Sequence, residues 1–157
     1  MVTLRPATVV DFPAIRKLIW QVGINPTGLD WRRFLLAVDE KGRLLGCGQI
    51  KPHGDGTREL ASIAVVPAAR GQGVARALIT RLMQAEKPPL YLTCRPNLQP
   101  LYTRFGFHTL PLAEYTPYFL LLHRLVQMFN RLRGSTESFS LMRWDGREPV
   151  EAAKEET

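Results

Sequence analysis

One loop of the chain carries residue types and a spacing that suit anion binding. A strand-like run ends at Pro67, and Arg70-Gly71-Gln72-Gly73-Val74-Ala75 follows before a helical pattern begins. The first amides of a helix have no acceptor within it, and the helix dipole adds positive potential there. Glycines at 71 and 73 allow the backbone to approach a bulky anion. The loop is therefore suited to a pyrophosphate, and the alternative is a tight turn with a helix cap.

Two other kinds of phosphate site do not match this loop. A phosphate-loop nucleotidase requires Lys-Ser or Lys-Thr after a glycine, and no such pair is present. A dinucleotide site requires a third glycine where Arg76 stands. It also requires an acidic residue at the end of the next strand, where the sequence reads Thr93-Cys94-Arg95. The sequence therefore favours neither a phosphate-loop nucleotidase site nor a dinucleotide site.

The elements that must position this loop are a mixture of strands and helices. Four segments have apolar residues at helical spacing, and seven have strand-like runs bounded by turn residues. The early strands form a meander, and only the middle of the chain predicts a strand-helix-strand crossover, which is typical of an α+β fold. The predicted helices are 11–22, with Asp11 as N-cap, 73–86, 98–105 and 115–132; the predicted strands are 2–5, 33–39, 43–51, 59–66, 90–93, 107–110 and 138–144.

Composition limits the class of protein. The 157 residues fit a single domain, which we expect over 1–144, followed by a polar and disordered tail at 145–157. No run of about 18 apolar residues could cross a bilayer, and the start does not resemble a signal peptide, so we expect a cytoplasmic protein. The net charge of +7 suggests an anionic partner, which could be nucleic acid, an anionic membrane or a phosphorylated cofactor.

Two sequence blocks carry a resemblance to a known family. The first is Ile63-Ala64-Val65 with the loop from Arg70 to Ala75, and the second is Leu101-Tyr102-Thr103-Arg104-Phe105-Gly106-Phe107. They resemble the Gln/Arg-x-x-Gly-x-Gly/Ala and Leu-Tyr-x-x-x-Gly-Phe patterns of the GNAT superfamily of N-acetyltransferases. Their order leaves room for one helix and one strand between them, and the resemblance spans 2–144. Asn25–Trp31 with Gly46–His53 is similar to a cyanobacterial and plastid subgroup.

The resemblance implies a fold and a co-substrate. The fold would be a mixed, mainly antiparallel sheet of six to seven strands with helices on both faces. Acetyl-CoA, without a metal, would enter between the strands at 59–66 and 90–94. The loop amides would hold its pyrophosphate, and the backbone at Ile63 and Val65 would pair with its pantetheine and polarise the thioester carbonyl. Asn97 would contact the cofactor or cap the next helix, because Arg95 stands where the family often has asparagine.

The resemblance also implies catalytic roles for two residues. An attacking amine must lose a proton, and the leaving thiolate must gain one. Glu59 lies on the strand face of Ile63 and Val65 by the period of two, and matches the general base of the family's histone-acetylating branch. The alternative for Glu59 is a charged residue at the start of a strand. Tyr102 occupies the family's general-acid position, and its alternative is an aromatic packed on the sheet.

Cys94 suggests a second mechanism, through a covalent acyl-cysteine. That route requires a nearby base, and His53, His108 and His123 are scattered without a recognisable pairing, so we expect it not to operate. Cys94 and Cys47 both lie in apolar, strand-like stretches. In a cytosolic protein they are expected to be reduced packing residues.

The amphipathic segment at 115–132 has three interpretations. It could lie on an anionic membrane surface, dock a partner subunit or lid the acceptor site, or cover the sheet as an ordinary helix, which the sequence favours. Arg124 and Arg131 fall outside its apolar stripe. The stripe consists of Leu121, Leu122, Leu125, Met128, Phe129 and Leu132.

Three classes of function compete. The first is an N-acetyltransferase acting by direct amine attack on acetyl-CoA, with a protein N-terminus, a lysine or a small amine as acceptor. The second is a non-catalytic acetyl-CoA-binding module that signals through the helix at 115–132. Nucleic-acid binding is disfavoured because the aromatic residues are not interleaved with the basic ones. A homodimer is compatible with the sequence.

Overall fold

A computed structural model describes residues 1–148, and the tail predicted at 145–157 lies outside the described residues from position 149 onward. Its strands and helices follow the predicted order closely. The strands are β1 (Thr3–Pro6), β2 (Phe34–Val38), β3 (Leu44–Pro52), β4 (Arg58–Val65), β5 (Leu90–Cys94), β6 (Phe107–Thr109) and β7 (Ser140–Trp144); the helices are α1 (Phe12–Val22), α2 (Val74–Gln84), α3 (Gln99–Thr103) and α4 (Pro117–Arg133).

The strands form one seven-stranded sheet in the order β1-β2-β3-β4-β5-β7-β6. β4 and β5 pair in parallel, with Glu59 opposite Tyr91. The pairs β1–β2, β2–β3, β5–β7 and β6–β7 are antiparallel. Parallel neighbours need a crossover connection, which α2 provides in sequence. The predicted α+β fold, with a mainly antiparallel sheet and one crossover, is therefore confirmed.

The first of two compact units comprises residues 1–51 and 60–86. Within it, the side chains of β2 alternate between two apolar cores. Phe34, Leu36 and Val38 pack in the core of α1, whereas Leu35 and Ala37 pack in the core of α2. Because alternate residues of a strand point to opposite faces, α1 and α2 cover opposite faces of the strands in this unit. Helices on both faces of the sheet were predicted, and the strands of the first unit have a helix on each face.

Asp11 stands at the predicted N-cap of α1, but its side chain does not cap that helix. Its carboxylate accepts two hydrogen bonds from the Arg5 guanidinium, at 2.8 and 2.9 Å, and one from the amide of Thr8 at 2.7 Å. The hydrogen bonds from Arg5 lower the pKa of Asp11 well below its ordinary value. The predicted cap was therefore right in position and wrong in its hydrogen-bond partner.

The second compact unit comprises residues 52–59 and the chain from 87 onward. Its helix α4 packs through Phe119, whose side chain is completely buried in a cluster with Tyr91, Leu110 and Leu141. The ring of Phe119 stacks against that of Tyr91 with centroids 5.5 Å apart. Tyr118 and Leu122 pack against the same cluster, so these two residues and Phe119 define the inner face of α4.

Asp55 anchors the start of α4 from the turn between β3 and β4. Its carboxylate accepts a hydrogen bond from the amide of Tyr118 at 3.0 Å. Burial acts to raise the pKa of Asp55, but hydrogen bonds from the Thr57 hydroxyl and from the amides of Tyr118 and Thr57 outweigh it and lower the pKa to about 2. A carboxylate at this end of a helix is favourable because the first amides have no acceptor within the helix.

The stripe predicted on α4 does not pack against the sheet. Leu122 alone of its six members contacts the buried cluster of Phe119, and the other five are exposed. The favoured interpretation, an ordinary helix that covers the sheet, is confirmed because Phe119 packs against Tyr91 and Leu141, but the packed face is not the predicted stripe. The exposed members of the stripe are Leu121, Leu125, Met128, Phe129 and Leu132.

Among residues 1–148, no helix is long and apolar enough to cross a membrane.

Candidate active site

A turn with two left-handed glycines connects β4 to α2 in the first unit. Gly71 has φ of 76° and Gly73 has φ of 79°, values that side-chain-bearing residues rarely adopt. No atom lies within 4 Å of where a Cβ would stand at either position. The glycines are therefore required by the backbone path of the turn, and the space beside them is open.

The start of α2 presents amide groups at this turn. Ala77 donates to the carbonyl of Gly73 at 3.0 Å, which is the first hydrogen bond of the helix. The amides of Val74 and Ala75 precede that bond and have no acceptor within the helix. The side-chain amide of Gln72 donates to the carbonyl of Ala68 at 3.2 Å and braces the turn. The arrangement has the donors and the dipole that a phosphate group requires.

Basic side chains lie in this turn and along α2. Arg70 is exposed within the turn and Arg76 lies in the first turn of α2, whereas Arg81 lies in its last turn. Arg76 and Arg81 line a shallow groove that begins at Gly73. Positive charge at the N-terminal end of a helix adds to the helix dipole. The residues present therefore fit a ligand that carries more than one phosphate, as the sequence predicts for CoA.

Ser62 gives β4 an irregular backbone just before this turn. Its φ is 59°, the only positive φ of a non-glycine residue described. Its hydroxyl accepts a hydrogen bond at 2.8 Å from the side-chain amide of the buried Gln49. Alternation of side chains does not continue regularly through a left-handed residue. The period-of-two argument that placed Glu59 on the face of Ile63 and Val65 therefore does not hold across Ser62.

Glu59 forms a buried pair with His53 in the second unit. The Nε2 atom of His53 lies 2.8 Å from Oε1 of Glu59, and both side chains are less than a tenth exposed. The hydroxyl of Thr93 donates to the other oxygen, Oε2, at 3.2 Å. A buried carboxylate with hydrogen-bond partners on both oxygens is held in one orientation. Glu59 is therefore more than a charged residue at the start of a strand.

Aromatic rings hold the His53 side chain in place. Its imidazole stacks on the ring of Tyr118, with centroids 3.5 Å apart and planes 12° from parallel, and meets Phe119 edge-on at 5.6 Å. Burial, followed by the charges of Glu59 and Asp55, raises the pKa of Tyr118 above its ordinary value. The cluster therefore combines titratable groups from the turn before β4, from β4 and from α4.

The pairing of His53 with Glu59 was missed by the sequence analysis, which found no partner for any histidine. The pairing follows from the register of the hairpin between β3 and β4. The amide of His53 donates to the carbonyl of Thr57 at 2.9 Å, so these residues face each other across the turn. Glu59 lies two residues beyond Thr57 and is the diagonal neighbour of His53 on the same face.

Tyr102 is a buried residue of α3 whose ring meets that of Phe107 edge-on at 6.4 Å. Burial, with a smaller contribution from Cys94, raises the pKa of Tyr102 to about 12. The phenol is therefore protonated throughout the neutral range, as a proton donor must be. The structure places it in the second unit, together with Glu59.

The two cysteines are buried and unpaired, as predicted. Burial raises the pKa of Cys47 to about 12 and that of Cys94 to about 11. The thiol of Cys94 contacts the sulfur of Met142 at 3.9 Å. Because only a thiolate is an effective nucleophile, these environments oppose an acyl-cysteine mechanism.

Asn97 is exposed in a short 3-10 turn between β5 and α3. Leu98, and not Asn97, stands at the N-cap of α3, and no side chain caps that helix. The capping alternative for Asn97 is therefore wrong. Within residues 1–148, no group of three His, Cys, Asp or Glu side chains could hold a metal ion.

Comparison with known proteins identifies the family. The model of the acetyltransferase (GNAT) domain matches residues 30–109, which include β2 to β6 and the turn with the two glycines. The chain belongs to the GNAT family of acetyltransferases. No curated protein sequence matches the chain.

Solved structures share the fold at low identity. N-acetylglutamate synthase from Neisseria gonorrhoeae, complexed with coenzyme A and N-acetyl-glutamate, has a TM-score of 0.68 and 19% identity over 94% of this chain and 36% of that chain. Rv2747 from Mycobacterium tuberculosis, in complex with CoA and NLQ, has a TM-score of 0.67 and 20% identity over 91% and 98%. ElaA from Escherichia coli has a TM-score of 0.66 and 17% identity over 92% and 100%. The chain spans about a third of the synthase.

Proposed function

We propose that this protein transfers an acetyl group from acetyl-CoA to an amine by direct attack in a ternary complex. The observation that carries the proposal is the turn with two left-handed glycines at the start of α2, in a chain of the acetyltransferase family. Acetyl-CoA supplies a thioester as acyl donor. The remaining chemistry is positioning, proton removal and proton delivery by the protein.

The binding of acetyl-CoA is assigned to backbone groups of the first unit, and the family resemblance adds Asn97. The amides at the start of α2 bind the pyrophosphate because they are donors without helical acceptors. The backbone after Ser62 pairs with the pantetheine, and exposed Asn97 makes a further polar contact. The proposed binding residues are Ile63, Val65, Arg70, Gly71, Gln72, Gly73, Val74, Ala75 and Asn97.

Glu59 is assigned as the general base that removes the proton of the attacking amine. An amine is mostly protonated near neutral pH, and an acceptor in the active site makes it nucleophilic. The hydrogen bonds from His53 and Thr93 hold the carboxylate in a fixed orientation. A carboxylate oxygen has two acceptor sites, so each Glu59 oxygen can accept one more proton or hydrogen bond.

Tyr102 is assigned as the general acid that protonates the leaving thiolate. Its buried phenol keeps its proton because its pKa is about 12. Once a thiolate is expelled, a nearby hydroxyl can donate to the sulfur. The role is the one that the family resemblance implies for this position.

The acceptor class is best tested with a panel of amines. N-acetylglutamate synthase, which shares the fold, is complexed with N-acetyl-glutamate, so glutamate belongs in the panel beside peptides with free N-termini, peptides with lysine, and small amines. We expect CoA release that depends on one acceptor class. Calorimetry with CoA separates the alternatives: binding without turnover on any amine favours the regulatory module, and absence of binding contradicts both proposals.

A further inference from the structure

Helix α4 presents a continuous apolar stripe to solvent. Five large apolar side chains recur at i, i+4, i+7, i+8 and i+11, which places them on one face. Leu121 is 58% exposed and Leu132 is 77% exposed, at opposite ends of the stripe. Exposed apolar patches that are contiguous mark interaction sites more often than isolated apolar residues do. The stripe consists of Leu121, Leu125, Met128, Phe129 and Leu132.

The opposite face of α4 is already packed. Phe119 is completely buried, and Leu122 contacts the same apolar cluster within the second unit. Asp55 fixes the start of the helix, and Gly134 ends it in the left-handed conformation, with φ of 64°. The helix is therefore formed and anchored by its inner face. The outer stripe contributes nothing to that anchoring.

Arginines flank the stripe on both edges. At about 100° of rotation per residue, Arg124 and Arg131 lie along one edge and Arg133 lies along the other. All three are exposed, and residues 117–133 contain no Asp or Glu. The Arg133 guanidinium lies over the ring of Phe129, 5.9 Å from its centroid, in a cation–π contact at the edge of the stripe.

We propose that α4 binds the surface of an anionic lipid bilayer, with the apolar stripe inserted at the headgroup boundary and the arginines against lipid phosphates. This combination of an apolar face and flanking cations is the physical requirement for an interfacial helix. A second copy of the chain is a poorer occupant. Twofold pairing of this face with itself would bring the same arginines together and oppose like charges.

Vesicle co-sedimentation of the full chain tests the proposal. We expect binding to phosphatidylcholine vesicles that contain phosphatidylglycerol, weak binding to phosphatidylcholine alone, and a loss of binding as salt screens the charges. The Phe129→Asp variant should bind at least roughly tenfold more weakly, because an exposed aromatic side chain that would insert into the bilayer is replaced by a charge repelled by the anionic lipid. Its matched control is Trp20→Asp, since Trp20 is an exposed aromatic residue of α1.

A second variant keeps the apolar stripe intact. Replacing both Arg124 and Arg131 with Gln should weaken binding to anionic vesicles by roughly 5-fold per charge and flatten the salt dependence. An unchanged circular dichroism spectrum and urea midpoint for each variant establish that it is folded, so a membrane result does not depend on the acetyltransferase proposal.

Two results would overturn the membrane proposal. The first is equal binding of Phe129→Asp and the unsubstituted protein to anionic vesicles. The second is a stable dimer in sedimentation velocity that Phe129→Asp dissociates, together with no vesicle binding. That second outcome would assign the stripe to another copy of the chain.

Discussion

His53 and Glu59 are joined by a hydrogen bond of 2.8 Å between Nε2 and Oε1, with both side chains shielded from solvent. The pair spans a hairpin turn, so the two residues are close in both sequence and space. Tyr118 stacks on the imidazole, and Thr93 donates to the second carboxylate oxygen. Charge or hydrogen-bond changes at one partner will therefore be felt by the other, which makes the pair the most informative target for mutation.

Removing the charge of Glu59 should slow acetyl transfer. We expect Glu59→Gln to lower kcat/KM by about 10²- to 10⁴-fold and to leave the Kd for CoA unchanged, because general-base catalysis contributes on that scale. Glu40→Gln is the matched control, since Glu40 is an exposed glutamate of the first unit. Steady-state rates over a pH range provide the measurement, and an unchanged profile would exclude the base role.

Replacing His53 separates hydrogen bonding from packing. His53→Phe keeps an aromatic ring for stacking on Tyr118 and removes the hydrogen bond to Glu59. We expect a loss in kcat with little change in the KM for acetyl-CoA, because only the orientation of the carboxylate is altered. If turnover matches that of the unsubstituted protein, His53 serves packing alone.

Loss of the Tyr102 hydroxyl should reduce turnover without weakening CoA binding. We expect kcat of Tyr102→Phe to fall by roughly 10²-fold or more, the contribution of a positioned acid. With a pKa of about 12, the phenol stays protonated below that pH, so the unsubstituted protein should show no alkaline loss of rate from Tyr102 up to about pH 10. A fall in the rate near neutral pH that disappears in Tyr102→Phe would contradict this assignment.

A side chain at Gly71 should strain the turn through its backbone conformation alone. Alanine at a left-handed position costs about 1 kcal/mol, so the free turn of Gly71→Ala should relax away from this backbone path. Binding of CoA must then restore the path, which should raise the Kd by roughly 5- to 10-fold. Gly42→Ala carries the same strain, with φ of 76° and no atom within 4 Å of its Cβ position, in the turn between β2 and β3. Calorimetry on both variants distinguishes a local effect on the turn from a general loss of stability. Equal affinities in the two variants would argue against pyrophosphate binding at Gly71.

Asp55 should make the stability of the protein sensitive to acid. Its folded-state pKa of about 2 lies below the ordinary 3.8, so its stabilising contribution is complete above about pH 4 and disappears as pH falls through 2. Asp55→Ala should lower the free energy of unfolding at neutral pH by about 1 kcal/mol, typical of a lost cap. Urea unfolding at several pH values measures both. If the free energies of unfolding of Asp55→Ala and the unsubstituted protein differ by the same amount at all pH values, Asp55 does not act as a charged cap.

The sequence predicted the order and type of the elements because their signals are local. Pro67, Pro88 and the left-handed glycines end segments whatever the rest of the chain does, and helical spacing marks α1 and α2 without tertiary information. The family blocks predicted the turn at the start of α2 in the same way. These signals were sufficient for the fold and for the position of the turn with two glycines.

The remaining features depend on contacts that local patterns do not encode. The His53–Glu59 pair requires the register of a hairpin, and the conformation of Ser62 requires a neighbour, Gln49, on an adjacent strand. Helix α4 has apolar residues on two faces, and periodicity alone cannot say which face packs. In the structure the face that carries Phe119 packs, because its side chain is buried in the cluster with Leu141.

The left-handed conformation of Ser62 has a consequence for protein engineering. Glycine at position 62 would relieve backbone strain of about 1 kcal/mol, which makes Ser62→Gly an obvious thermostabilising choice. The same change removes the hydroxyl that the buried Gln49 amide uses, leaving that donor without its acceptor. The substitution would therefore relieve backbone strain but remove the hydrogen bond of Gln49. Substitutions that raise thermal stability are better sought at other residues.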